Sequence, residues 1–175
     1  MVRYADDFVI LCRSQAEAQR ALALVQQWTA QAGLTLHPVK TRIVEATQRG
    51  GFDFLGYHFE RGYRWPREKG LQKLKDKIRV HTRRNNGQSL QVIISHLNPT
   101  LRGWFGYFKH CHYTTFRSLD KWCRMRLRTI LRKRQKRRGR ARGTDHQRWT
   151  NAFFATQGLF SLVTAQAQAR QSSRR

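Results

Sequence analysis

The sequence predicts an α+β chain: a small β-rich region over residues 1–62, an all-helical region over residues 63–163, and a disordered basic tail over residues 164–175. Three observations carry that reading. Short apolar runs bracket the pair Asp6-Asp7. Hydrophobic residues recur at helical spacing between Ser14 and Gly33, with strand-like runs after them. Beyond residue 61 the apolar positions keep a helical period within a strongly basic background.

The first element is the string Arg3-Tyr4-Ala5-Asp6-Asp7-Phe8, followed at once by Val9-Ile10-Leu11-Cys12. It reads as a tight strand-turn-strand hairpin with the two carboxylates at its tip. Hard divalent cations such as Mg²⁺ prefer carboxylate oxygens, although an Asp pair between apolar runs is equally the composition of an ordinary turn. Ser14 with Glu17 three residues on forms a capping box, and Gly33 is the matching stop for a helix between them. Ala18, Ala21, Leu22, Val25, Trp28 and Ala32 fall on one face, which is expected to pack on the sheet with Trp28 in the core. Thr41 to Ala46 reads as a strand, Gln48 to Gly51 as a turn, and Phe52 to Phe59 as a second strand with Gly56 embedded in it. Glu17, Glu45, Asp53 and Glu60 are assigned structural roles.

Arg64-Trp65-Pro66-Arg67 is read as a linker into the helical region. Leu71, Leu74 and Ile78 mark one helix face, and Asn85-Asn86-Gly87 ends that helix. Ser89 caps a second through about Leu97, and Pro99 suits the first turn of a third, carrying Leu101, Trp104, Phe105, Tyr107 and Phe108. Gly103 and Gly106 weaken a helix unless another backbone or a nucleic acid approaches closely. A fourth helix from about Phe116 buries Leu119, Trp122, Met125, Leu127 and Ile130, and Trp104, Phe108 and Trp122 are expected to hold the bundle. It runs into residues 132–142, eight of which are Arg or Lys, read as a solvated arm that orders on a partner. Trp149, Phe153, Phe154, Leu159, Phe160, Leu162 and Val163 supply a further apolar segment that docks back.

Charge identifies the class of partner. The chain has 35 Lys and Arg against 10 Asp and Glu, a net charge of +25. Residues 1–60 hold six basic and six acidic residues, so the whole excess lies beyond them. A single-sign field of that size repels itself unless a polyanion neutralises it, which points to RNA or DNA. The sequence contains no apolar run long enough to span a bilayer and no secretory signal pattern, so no membrane partner is expected. Cys12, Cys111 and Cys123 form no Cys-x-x-Cys pair, and His110-Cys111-His112 with Cys123 matches no standard zinc spacing; an odd count suits a reducing compartment.

Tyr4-Ala5-Asp6-Asp7 between apolar strands resembles the active-site hairpin of reverse transcriptases. Gly33-Leu34-Thr35-Leu36-His37-Pro38-Val39-Lys40-Thr41, Phe54-Leu55-Gly56-Tyr57-His58-Phe59 and Leu101-Arg102-Gly103-Trp104-Phe105-Gly106-Tyr107-Phe108 then follow in order. This succession is similar to the second half of the palm, the primer grip, and the thumb or maturase-specific domain of group II intron reverse transcriptase/maturases. The resemblance covers most of residues 2–163.

It implies a partial polymerase palm (β-hairpin, helix, antiparallel strands) followed by an all-helical thumb/maturase domain. It also implies RNA-directed DNA synthesis on a two-metal Mg²⁺ site, with Asp6 as metal ligand, Asp7 as second ligand or supporting carboxylate, and Lys40 beside the leaving pyrophosphate. Read from the residues alone, Lys40 is equally an exposed lysine in a turn. Phe54, Leu55, Gly56 and Tyr57 are assigned to the primer grip. Arg102, Lys109, Arg132, Lys133, Arg134, Lys136, Arg137 and Arg138 are assigned to nucleic-acid contacts. The implied partners are group II intron RNA, a DNA primer/RNA template duplex and an N-terminal reverse transcriptase segment, in a bacterial cytoplasm or an organelle. The family's further metal-binding Asp and its fingers are not recognised here, so the chain reads as the C-terminal part of a longer enzyme, inactive in synthesis by itself. No Cys/His-rich endonuclease module is recognised after the thumb. The alternative is a catalytically inactive basic RNA-binding module or a truncated relic.

Overall fold

Tyr4 and Asp7 pair across a two-residue turn, and this short hairpin opens the chain. Strands β1 (Val2–Tyr4) and β2 (Asp7–Val9) run antiparallel, with Val2 opposite Val9 and Arg3 opposite Phe8. Ala5 takes a left-handed φ of 52°, and the Arg3 side chain steadies the turn by donating to the Ala5 carbonyl at 2.8 Å. The computed structural model describes residues 1–172.

Helix α1 (Gln15–Gln31) has the ends the sequence predicts. The Ser14 hydroxyl accepts from the Glu17 N–H at 3.2 Å. The Glu17 carboxylate reaches one residue further back than a capping box requires, accepting from the Arg13 N–H at 2.8 Å. At the other end Gly33 is left-handed, and the Gly33 and Leu34 N–H groups donate to the Ala30 and Thr29 carbonyls. That is the Schellman pattern, which satisfies the last turn. The middle of the helix departs from expectation. Ala18, Ala21, Leu22 and Val25 are half-buried and Thr29 is buried, but Trp28 is 61% exposed and Ala32 is exposed. Trp28 is therefore not a core residue: a hairpin with three-residue strands is too small a surface to cover a 17-residue helix.

Residues 41–46 form no strand. They hold shape through local bonds: Glu45 accepts from the Thr47 hydroxyl at 2.5 Å and the Thr47 N–H at 3.2 Å, which lowers the Glu45 pKa. The expected single strand over Phe52–Phe59 is two, β3 (Phe52–Phe54) and β4 (Tyr57–Glu60), and the expected linker is a third, β5 (Tyr63–Pro66). They form one sheet in the order β3-β4-β5. The cause is turn chemistry. Leu55-Gly56 and Arg61-Gly62 have positive φ at both residues, the requirement of two-residue hairpin turns whose twist matches the strands. Gly51 is demanded by close approach, since a Cβ there would lie 1.9 Å from the Phe59 carbonyl oxygen. Pro66 ends β5, a position where its missing N–H is tolerated.

Two compact units result, Met1–Leu55 with Phe59–Gly62, and Gly56–His58 with the chain from Tyr63 onward. In the second, α2 (Glu68–His81), α3 (Leu90–Phe108) and α4 (Tyr113–Arg134) are followed by α5 (Gly143–Arg148), α6 (Asn151–Thr156) and α7 (Leu162–Ser172). Ser89 caps α3 by accepting from the Val92 N–H, as expected. However, α3 runs straight through Pro99, where two helices were expected. An internal proline costs about 3 kcal/mol, and burial of Ile93, Ile94, Leu97 and Leu101 along the same helix offsets that cost.

The core of this unit joins Leu74, Ile78, Leu97, Leu101, Phe116, Leu127, Ile130, Phe154 and Leu162. Phe116, with no exposed surface, is its aromatic anchor; Trp104 and Trp122 pack at its margin, half-buried. The Trp104 indole N–H is buried without an acceptor. Gly103 and Gly106 have open space where a Cβ would point, so no close approach within the chain requires them. Residues 164–172 are helical, not disordered: α7 docks on α4, with Leu162 and Gln166 buried. The remainder of the expected tail, residues 173–175, lies outside the described residues.

Asp120, buried on α4, explains that docking. Its carboxylate accepts from the Ser161 hydroxyl at 2.8 Å, the Leu162 N–H at 3.1 Å and the Val163 N–H at 3.3 Å. One helix thus caps the N-terminus of another, where the free N–H groups and the dipole both favour an anion. Further along, the Gln166 amide donates to the Cys111 carbonyl at 3.0 Å. Burial raises the thiols of Cys111 and Cys123 to about 12, so both are inert apolar fillers at neutral pH.

Candidate active site and nucleic-acid interface

Asp6 occupies the turn of the first hairpin and Asp7 opens β2, and both side chains are exposed. Hard oxygen donors on a solvent-facing turn suit Mg²⁺ in kind, because that ion binds through one or two carboxylates together with water and phosphate oxygens. In number the set is small. Among the described residues no group of three or more His, Cys, Asp or Glu side chains is placed to hold a metal.

Lys40 is exposed in the loop after α1, in a turn closed by the Thr41 N–H on the His37 carbonyl at 3.0 Å. No bond joins it to Asp6 or Asp7. The Phe54-Leu55-Gly56-Tyr57 segment is the hairpin turn between β3 and β4. Leu55 stands 37% exposed at its tip. Tyr57 turns inward: its hydroxyl donates to the Tyr107 carbonyl, and its ring lies 5.1 Å from Phe108. Burial, reinforced by Cys111 and Tyr107, pushes the Tyr57 phenol up to about 12. Tyr57 is a structural bolt.

The basic residues divide into two groups. Arg102 is exposed with its guanidinium 5.5 Å above the Phe160 ring, and Lys109 is exposed at the end of α3. Lys133, Lys136, Arg137 and Arg138 are exposed around the end of α4. Arg132 and Arg134 are engaged. Arg132 pairs with buried Asp145 at 2.7 Å and donates to the Arg138 carbonyl at 3.0 Å, while Arg134 donates to the Gln88 carbonyl. The start of the block is therefore not the free arm expected. Lys136 takes a left-handed φ of 59°, and the Lys136 and Arg137 N–H groups donate to the Lys133 and Arg132 carbonyls, which is a Schellman end with lysine in the position usual for glycine.

The Asp145 pair is missed by sequence reasoning because its partner is 13 residues away across an irregular loop. The Arg142 N–H first, then the Arg132 guanidinium, hold the Asp145 carboxyl below the usual range. A carboxyl depressed on folding stabilises the protein above its unfolded pKa, near 3.9, and that stability is lost as pH falls through the folded value. The stability difference between wild type and Asp145→Asn should thus be constant from pH 7 to about pH 5 and shrink below about pH 4, read from urea midpoints. A difference independent of pH down to pH 3 would mean the pair does not titrate with folding.

No helix of the described residues is long and apolar enough to cross a membrane. A scan against family models matches residues 1–59 to "Reverse transcriptase (RNA-dependent DNA polymerase)" and residues 71–149 to "Group II intron, maturase-specific domain". A search of curated proteins finds no match. The two matches follow one another along the chain in the order that the Asp-pair hairpin and the basic helical unit occupy, and the chain belongs to the group II intron reverse transcriptase/maturases.

Proposed function

We propose that the chain binds group II intron RNA through its basic helical region, supporting splicing, and that residues 1–62 contribute part of a nucleotidyl-transfer centre. The observation that supports this best is the charge asymmetry: 29 basic and four acidic residues from 61 onward, in the region that carries the maturase match. Affinity built on phosphate contacts follows from that charge whether or not synthesis occurs. Arg102, Lys109, Lys133, Lys136, Arg137 and Arg138 present exposed cations for those contacts.

In the same reading Asp6 and Asp7 hold Mg²⁺, and Lys40 and the Leu55-Gly56 turn face primer, template or pyrophosphate. Bound metal supplies neutralisation of phosphate charge and activation of the attacking hydroxyl. The residues' own contribution is narrower. Asp6 and Asp7 place two anions on a rigid turn, and two carboxylates without a third leave metal weakly held. Extension of a DNA primer on an RNA template by this chain alone should be undetectable, whereas a structured intron RNA should bind with steep salt dependence. Asp6→Asn should leave that RNA affinity unchanged within about twofold, since one carboxylate among 35 cations contributes little. Primer extension that disappears in Asp6→Asn would overturn the incomplete-site reading, and RNA binding that is weak and insensitive to salt would overturn the RNA-binding reading.

A further inference from the structure

A cleft of ≈450 Å³ opens on the helical unit between β5, α2 and α4, lined by Trp65, Leu71, Lys75, Thr115, Ser118 and Trp122 among others. We propose that this cleft takes one unpaired nucleotide of RNA, the base against its aromatic lining and its phosphate on Lys75. The proposal rests on the RNA-binding reading above and adds where and in what form the RNA is held.

Four observations carry it. The volume falls within the range of small-ligand pockets and suits a single nucleotide. Two indoles share the lining with the Thr115 and Ser118 hydroxyls, which combines aromatic surface with hydrogen-bonding groups, the chemistry used to hold splayed bases. Lys75 is half-buried at the cleft and, among the described residues, no carboxylate is paired to it, so its ammonium is available to a phosphate. The lining is also electropositive: the Arg79 and Arg126 guanidiniums lie over the Trp122 ring, 5.6 Å and 5.3 Å from its centre, so Trp122 meets a ligand together with these cations. Arg126 is fixed there by bonds to the Thr82 hydroxyl at 2.5 Å and the Thr82 carbonyl at 3.0 Å. An apolar side chain of a protein would leave this cationic rim uncompensated, whereas a nucleotide meets both features.

The recognition is of an unpaired base because a duplex keeps its bases stacked and its base faces covered. The cleft and the basic end of α4 then have separate roles. Cations around Lys133 to Arg138 contact phosphates without regard to pairing, and the cleft selects single-stranded segments.

The test is binding of an eight-nucleotide single-stranded oligoribonucleotide and of a duplex RNA of equal length, by titration with the full chain. Ser118→Trp fills the cleft from an exposed position on α4, and Lys75→Gln removes its cation without changing its shape. Both should weaken the single strand about tenfold, the effect of losing one stacked base, while duplex affinity changes less than about twofold. An oligonucleotide carrying 4-thiouridine should crosslink to Trp65 or Trp122 in the wild type and lose the crosslink in Ser118→Trp. Circular dichroism melting verifies folding, and Lys75→Gln, which introduces no bulk at a half-buried position, keeps the test decisive if Ser118→Trp unfolds. Unchanged single-strand affinity in Lys75→Gln together with no crosslink to either tryptophan would overturn the proposal and leave the cleft to an apolar peptide. If the wild type bound neither RNA, the underlying RNA-binding reading would fail instead.

Discussion

Changing Lys133, Lys136, Arg137 and Arg138 together to glutamine should lower affinity for structured RNA by about two orders of magnitude at low salt and flatten its salt dependence. Each phosphate contact contributes roughly 0.9 to the slope of log affinity against log salt on a duplex. Arg132→Gln should behave differently. Its guanidinium is committed to Asp145 and to the Arg138 carbonyl, so its loss leaves a buried carboxylate without its cation and costs about 3 kcal/mol or more. The salt slope should barely change. Filter-binding titrations across a salt series, paired with urea unfolding, separate the two. An unchanged slope in the four-residue variant would remove this region from the interface.

Asp120→Ala carries a large expected cost in stability. It removes a buried acceptor from the Ser161 hydroxyl and from the Leu162 and Val163 N–H groups, and it takes the counter-charge from Arg124, whose nearest nitrogen lies 3.7 Å away. Stranding several buried donors costs on the order of 3 to 5 kcal/mol. Residues from 161 onward should then become accessible to limited proteolysis before the rest of the helical unit does. Phe116→Ala, for comparison, should cost about 3 to 5 kcal/mol through a cavity, without selective exposure of the C-terminal helix. A wild-type proteolysis pattern in Asp120→Ala would show that α7 is held by Leu162 and Gln166 alone.

The parts of the fold readable in the sequence are those fixed by near neighbours. Ser14, Gly33 and Ser89 act on N–H and carbonyl groups within a turn of themselves, and each was placed correctly. Leu74, Ile78, Leu119, Leu127 and Ile130 follow from periodicity alone. What sequence reasoning misplaced depends on distant partners or on what a face meets. Trp28 fits a helical stripe, but whether a stripe is covered is a property of the surface opposite. Pro99 breaks a helix by local rules, and only the burial of flanking residues shows why it does not. Leu55-Gly56 and Arg61-Gly62 lack the Asn or Asp that usually announces such turns, so one strand was expected where the chain reverses twice. Asp120 and Asp145 sat in plain view as acids in a basic region. That scarcity was the available signal: the helical region has four acidic residues, and these two are buried against what they hold. For the site, the Asp pair and the basic block were legible as motifs, whereas the separation of free cations from committed ones depends on contacts that form only in the fold.

The bond between Asp120 and residues 161–163 also bears on how the chain is made. Synthesis runs from the N-terminus, and domains generally fold as they emerge. When α4 leaves the ribosome, Asp120 faces a bundle from which its partners are still missing, 41 to 43 residues from being added. At 5 to 20 residues per second, that interval lasts about 2 to 9 seconds. Throughout it a carboxylate stands where the finished protein excludes water, so the bundle cannot close tightly around it. The arrival of α7 supplies those partners and ends that window.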